Sequence, residues 1–396
     1  MAARSAWWNN RSSNQTVTST TDWTTIGRTT ALGVAGTSYW VMGFISYSTD
    51  TAAVGIQFDL RHENSLSQLI VRKDNVASVA EVSARAFLIG KLTTPGGGNQ
   101  IVSMRAKNAA AQTVTVKEAT IVVFATATGD QYAADDTTTA GNVTTTYADF
   151  VTLSWTAGTN EDYLILAAME LEGFSGSSAA AKGDLYNGTT SYGAPDTNFR
   201  TGASQSMAWG QVLKATLSGA QTWKLRYADT NSIASIKARY GRILALKNQA
   251  SEDMFYAESR TKSTKTTSGY TAKATSTQTA QAVPYLLLGS ACIDVSNTTN
   301  YVGAELTAAG SAIDAPALWK PSGNNADIVV AYGAIDSASA GSRAWTVSYS
   351  AVDAAGTCGI YEASVAAMQL AAGATVRPAS AKRGRMLGGV GRMMRR

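Results

Sequence analysis

The feature that most constrains this chain is a long internal repeat. Ile101, Trp223 and Trp345 stand 122 residues apart, as do Arg105, Tyr227 and Tyr349, and again Glu118, Tyr240 and Glu362. The segments around them align: MRAKNAAAQTVTVKEATIVVFATA with KLRYADTNSIASIKARYGRILALK and VSYSAVDAAGTCGIYEASVAAMQL. Upstream of each lies an aromatic (Trp23, Tyr147, Tyr270), a polar Thr/Gly/Ala stretch, and an apolar run opened by Tyr39, Tyr163 or Tyr285. A unit of about 120 residues is too long for a solenoid repeat of about 20–50 residues. It matches a whole autonomous sandwich.

Within each copy, short segments such as YWVMGFISYS, VGIQFDLRH, ARAFLIGKL and VTVKEATIVVFATA alternate with turn clusters such as PGGGN (95–99), TGD (128–130), SGNN (322–325) and SAG (339–341). Such spacing predicts about eight strands per copy and a two-sheet, jelly-roll-like sandwich. The expected fold is therefore all-β, with three tandem homologous β-sandwich domains at 17–135, 136–258 and 259–376. Short basic arms at 1–16 and 377–396 flank them. The run YLILAAMEL is apolar on both faces, so it should be covered by its own core on one side and by a neighbour on the other.

Charged residues make up only 15% of the chain against roughly 25% in ordinary globular proteins. Uncharged Thr, Ser, Asn and Gln must then cover much of the surface, as on exported β-proteins and virion proteins. The 396 residues contain no apolar window long enough to span a membrane, and MAARSAWWNNRSSNQ has no apolar signal-peptide region. Cys292 and Cys358 are too few for a disulfide framework; they read as buried small hydrophobes, and pairing across facing strands stays open.

Both ends depart from the repeat. The last twenty residues carry Arg377, Lys382, Arg383, Arg385, Arg392, Arg395 and Arg396, interleaved with Met386, Leu387, Met393 and Met394, and no acid. With the chain at +5, these seven charges leave the rest at −2, so the basic character belongs to the tail. Three readings stand: a solvated tail, an anchor that docks an acidic or grooved protein surface, and a phosphate-neutralising arm. The anchor is preferred because the methionines and the leucine add apolar contacts; without interleaved aromatics the tail has no means of reading bases. Trp7 and Trp8 in the N-terminal arm are costly to leave in water and should pack on the first domain or on a partner.

Catalytic constellations are sparse. His62 is the one histidine, no G-x-S-x-G elbow accompanies it, and no zinc spacing, Walker A or dinucleotide fingerprint occurs. The carboxylate pairs Asp135–Asp136 and Glu161–Asp162 are adjacent loop residues and do not recur between copies, unlike a repeated site. The expectation is no enzyme, no cofactor and no metal.

Tandem Ala/Thr/Gly-rich sandwiches with almost no His or Cys and a basic terminal arm resemble accessory virion proteins of tailed bacteriophages: head decoration proteins, head fibres and tail-associated receptor binders. The resemblance implies a location in the virion. It also implies multiple copies per particle, other virion proteins (capsid or tail scaffold) as partners, and no membrane or nucleic-acid role. Two further readings are a host-surface glycan or protein binding module and a bacterial surface or matrix protein.

Overall fold

In the computed structural model the described residues are 4–372, except 50–53, 66, 77–83, 94–95, 109–112, 138, 143, 174–180, 193–204, 230–235, 296–300, 314–315, 320–325, 338 and 353–356. They form β-strands arranged in five sheets, with turns between and no helix among them. The expected SGNN turn and the basic tail lie outside the described residues.

Strand pairing follows one scheme. In the first stretch an inner sheet runs Ser5–Arg11, Val114–Ala125, Tyr39–Thr49, Ala84–Leu92, and an outer sheet runs Thr24–Gly33, Gly98–Asn108, Val54–His62, Ser67–Val76. Counting these eight strands along the chain, the inner order is 1-8-3-6 and the outer order 2-7-4-5, the double Greek key of a jelly roll. The last stretch repeats it: Met254–Ser259, Cys358–Gln369, Pro284–Val295, Ala326–Ser337 inside, and Thr271–Ala280, Gly341–Ala351, Val302–Ala308, Ala317–Trp319 outside.

The middle stretch builds the same order from longer strands. Ala148–Gly173 and Gln205–Asp229 each run through both layers, and so weld inner and outer sheets into one. The corner is a register break between Ala157 and Glu161, with Asn160 (φ 52°) on one strand and Gly219 (φ 70°) on the other. In the first stretch the corresponding corner is a turn at Gly36 (φ 82°). A bulge and a left-handed residue suffice to bend a strand, so an interrupting turn is dispensable.

Inner-strand side chains alternate between two cores because successive Cβ atoms point to opposite faces. Tyr39, Val41 and Ile45 enter one cluster, Tyr163, Ile165 and Ala167 a second, and Tyr285 and Leu287 a third. The intervening Trp40, Met42 and Phe44, Leu164, Leu166 and Ala168, and Leu286 and Leu288 all meet in a fourth, shared cluster. The two-faced apolar run is thus covered by its own sandwich and by the other two. Tyr39, Tyr163 and Tyr285 hold the same register, opposite Ala125, Lys247 and Gln369. Outer strands show the complementary pattern: in Thr271–Ala280 the inward Ala274 and Ser276 are buried while Thr275 between them and Thr277 beyond are exposed.

Two sequence expectations are corrected. The described part of the expected 1–16 arm is not free: Ser5–Arg11 pairs with Val114–Ala125 and Gln15–Val17 with the same strand, because the wet alternative would leave two indoles exposed. Residues 131–135, assigned above to the first sandwich, pair with Ile236–Lys247, and Met254–Ser259 pairs with Cys358–Gln369. Each stretch therefore opens with a strand that closes on its own last strand. Cys292 and Cys358 are not joined in a disulfide, the former lying in the middle core and the latter in the last.

Candidate functional site

The three inner sheets converge, and polar chemistry collects where they do. Trp8, Tyr132 and Tyr256 occupy matching places on the opening strands, opposite Val122, Leu244 and Ala366, and all three pack on the shared core. Trp7, one residue earlier, turns the other way and meets Tyr39 edge-on at 6.0 Å; in the last sandwich Phe255 meets Tyr285 at the same 6.0 Å but tilted. Both tryptophans are half-buried within the first sandwich and its contacts, not in a free arm.

At one end of the shared core Arg4 ties the connections together. Its guanidinium reaches Asp130 Oδ1 at 2.8 Å and the Lys247 carbonyl at 2.7 Å, and it also pairs with Glu252. The Arg4 backbone N–H donates to Glu252 Oε1 at 3.0 Å. Asp130 also accepts from Trp40 Nε1 at 2.9 Å, the Ala127 N–H at 2.9 Å and the Lys247 N–H at 3.0 Å. Asp130 lies in the connection from first to middle sandwich and Glu252 in that from middle to last. Arg4 opens the chain, so this one buried fork bridges all three. Burial raises the Glu252 carboxyl above its ordinary range, against the pull of Arg4 and its N–H.

The last described strand arrives at the same place. Ala371–Ala372 pairs in parallel with Ser5–Ala6, and the Ala371 N–H donates to the Arg4 carbonyl at 2.9 Å. Arg377, Lys382, Arg383, Arg385, Met386, Leu387, Arg392, Met393, Met394, Arg395 and Arg396 all lie outside the described residues.

A second polar cluster lines the seam between middle and last sandwiches. Ser290 and Ser364 share a hydrogen bond of 2.8 Å; Ser364 donates to the Val212 carbonyl at 2.6 Å and Ser290 accepts from the Val212 N–H at 3.2 Å. Beside them Gln211 Nε2 donates to Glu362 Oε1 at 3.0 Å, in a small cleft also lined by Tyr256, Glu258 and Arg260. Desolvation pushes the Glu362 carboxyl up to about 8; Arg260 opposes the shift, and Glu258 and Asp184 add to it.

The other sequence candidates have ordinary structural roles. His62 is buried, with Nδ1 on Ser65 Oγ at 2.7 Å and Nε2 on Gln100 Oε1 at 2.8 Å. Asp135 caps the turn at Thr137 and Asp136 pairs with Arg242. Glu161, pulled down to about 2, first by Lys247 and then by the Gly158 N–H and the Tyr163 hydroxyl, pairs with Lys247, and Asp162 pairs with Lys214. Among the described residues no group of three or more His, Cys, Asp or Glu side chains is placed to hold a metal.

Several tyrosines near the surface are already covered. Arg226 lies 3.7 Å from the Tyr186 ring centroid and 4.8 Å from that of Tyr147. Tyr192 stacks on Trp223 at 5.6 Å and carries Arg260 at 4.5 Å. Each of these rings thus carries an intramolecular cation over one face.

No protein-family model and no curated protein matches this chain. Among solved structures it is similar to one described as the triple jelly roll fold and turret assembly in an archaeal virus, at 8% identity, covering 93% of this chain and 91% of that one, with a TM-score of 0.21. It is similar to the infectious bursal disease virus VP2 subviral particle at 9% identity, covering 93% and 80%, with a TM-score of 0.24. It is also similar to a tandem CBM22 pair from Paenibacillus barcinonensis Xyn10C at 9% identity, covering 60% and 93%, with a TM-score of 0.18. At TM-scores this far below 0.5, none of them carries an argument about this chain.

Proposed function

We propose that this chain is a non-enzymatic structural protein of a virion, an accessory protein of a tailed phage, in which three copies of one jelly roll form a built-in pseudo-trimer anchored by its basic C-terminal segment. The observation that carries the reading is the shared core. Each inner sheet gives its second face to the other two, so the three sandwiches form a cluster about a common axis and not a string of free modules. A chain built this way presents three related outer surfaces in fixed relation to one scaffold site, and fusion keeps their local concentration high, so weak contacts add.

The last described strand, Ala371–Ala372, ends beside Arg4, where the three sandwiches meet, so an anchor that follows it would start close to all three. Seven cationic and four apolar side chains suit an acidic, grooved protein surface on the particle. Host-surface binding is less well supported, because the rings of Tyr147, Tyr186 and Tyr192 are engaged internally.

Co-sedimentation of the whole protein, and of a variant lacking residues 377–396, with phage particles and with host cells tests this. Particle binding that disappears with the tail is the expected result. Tail-independent binding to cells would replace the proposal with host recognition.

A further inference from the structure

We propose that Tyr270 and Glu305, on the outer face of the last sandwich, form a guanidinium-binding site that takes an arginine side chain from a partner polypeptide.

The three outer sheets share one register. Thr24 faces Ala106, Ala148 faces Tyr227 and Thr271 faces Tyr349, and in each pair of strands a bulge follows the next residue. Arg105, Arg226 and Ser348 are therefore equivalent positions. So are Trp23, Tyr147 and Tyr270, each placed just before its strand begins. On the neighbouring strand the three positions face Asp59, Asp184 and Glu305.

In the first two sandwiches acid, cation and ring form one device. Arg105 Nε donates to Asp59 Oδ1 at 2.8 Å, a second N–H completes the fork, and the guanidinium lies 5.2 Å from the Trp23 ring centroid. Arg226 Nε donates to Asp184 Oδ2 at 2.9 Å, again with a second N–H, and lies 4.8 Å from the Tyr147 centroid. Each ring also carries a lysine at 5.0 Å, Lys107 on Trp23 and Lys182 on Tyr147. A carboxylate beside an aromatic face suits a guanidinium, whose planar fork bonds the one while its plane lies on the other.

The last sandwich keeps the acid and the ring without the cations. Ser348 stands where the arginines are, Ser350 where Lys107 is, and Gly303 where Lys182 is. A Cβ built on Gly303 would lie 2.7 Å from the Tyr270 hydroxyl, so the ring reaches across the face to the strand that carries Glu305 two residues on. Among the described residues Glu305 makes no hydrogen bond or ion pair. Burial raises its carboxyl and no cation opposes the shift. The Tyr270 hydroxyl is raised by burial and then by Glu305, which places ring and carboxylate within electrostatic reach of each other. Arg85 of the first sandwich pulls the other way on Tyr270, but it lies over the Tyr332 ring at 5.1 Å. An arginine entering from outside would rebuild what the sister sandwiches hold within the chain.

Backbone amide NMR shifts at residues 303–305 and 348–350 of the full-length protein read the site, with N-acetylarginine amide as probe and the uncharged citrulline compound as control. Saturable shifts are expected for the arginine compound, with binding of the citrulline compound weaker by about tenfold or more. Glu305→Gln should weaken arginine binding by a similar factor. Ser348→Arg fills the site from within, as in the sister sheets, and should abolish it. Absent shifts, equal binding of the two compounds, or arginine binding that survives either substitution would overturn the proposal. Removing residues 377–396 should leave these signals unmoved before any probe is added; a change there would give the site to the chain's own tail and not to a partner.

Discussion

Phe44 occupies the space that a side chain at Gly333 would need: a Cβ built there overlaps the Phe44 ring. Phe44 stacks on Phe87 at 5.0 Å, and Phe87 in turn faces Gly210, whose missing side chain also leaves room for Ala331. Phe44, Ala168 and Ser290 are register equivalents, as are Phe87, Gly210 and Ala331. The shared core is therefore asymmetric in side-chain size, with the first sandwich supplying bulk and the other two making room.

This asymmetry predicts a specific coupling. Gly333→Ala should destabilise by about 1–3 kcal/mol through overpacking. Phe44→Ala should cost about 3–5 kcal/mol through the cavity it leaves. Combined, the two should cost clearly less than their sum, since the second removes the clash of the first. Urea denaturation of the four proteins measures the coupling, and strict additivity would show that the two sites do not share space.

Cys292 and Cys358 lie in different cores, fully buried and with no disulfide between them. Neither thiol should react with a thiol reagent in the native protein over minutes, and two should react after denaturation without any reductant. A denatured count of zero would mean a disulfide and a different strand register.

How much of this was legible in the sequence depends on the range of the interaction. The alternation in YLILAAMEL and the matched tyrosines Tyr39, Tyr163 and Tyr285 are local signals, and both led to the right strands and faces. The opening strands were not visible, because QYAAD and SAWWNNR are short and become strands only by pairing with partners more than one hundred residues away. The aromatics Trp8, Tyr132 and Tyr256 recur at a spacing of 124 and would have revealed these strands had they been aligned. The Arg4 node leaves no mark at all: its partners lie 126 and 248 residues along the chain, and nothing local separates Arg4 from Arg11. Uncharged surface and a basic tail set a class of protein, whereas the convergence of three sheets on one core is a property of the folded chain.

Trp7 gives a test that separates packing from partner binding. Its ring is half-buried against Tyr39 and the first core. Trp7→Ala should lower stability by about 2–3 kcal/mol, less than for a fully enclosed tryptophan. Under conditions where the variant remains folded, its tail-dependent sedimentation with particles should equal that of the parent. Lost sedimentation with unchanged stability would make Trp7 a contact residue.

Arg4 should be a costly buried charge to lose. Its side chain is 3% exposed, and its removal strands Asp130, with 1% exposure, and Glu252, with 0%, without their cation. Breaking a buried pair in this way costs about 3–5 kcal/mol. Arg4→Lys should recover only part, because one ammonium cannot span Asp130, Glu252 and the Lys247 carbonyl as the planar fork does. The loss should also depend on pH. Desolvation already raises the Glu252 carboxyl and Arg4 is the main group holding it down, so Arg4→Met raises it further. The folded variant then holds a proton that the unfolded chain releases, and its stability falls more steeply with rising pH than the parent's. Urea midpoints at about pH 5 and pH 8.5 should differ more for Arg4→Met than for the parent. Equal differences would mean that Glu252 does not sense Arg4, and that the node is held by the Asp130 contacts alone.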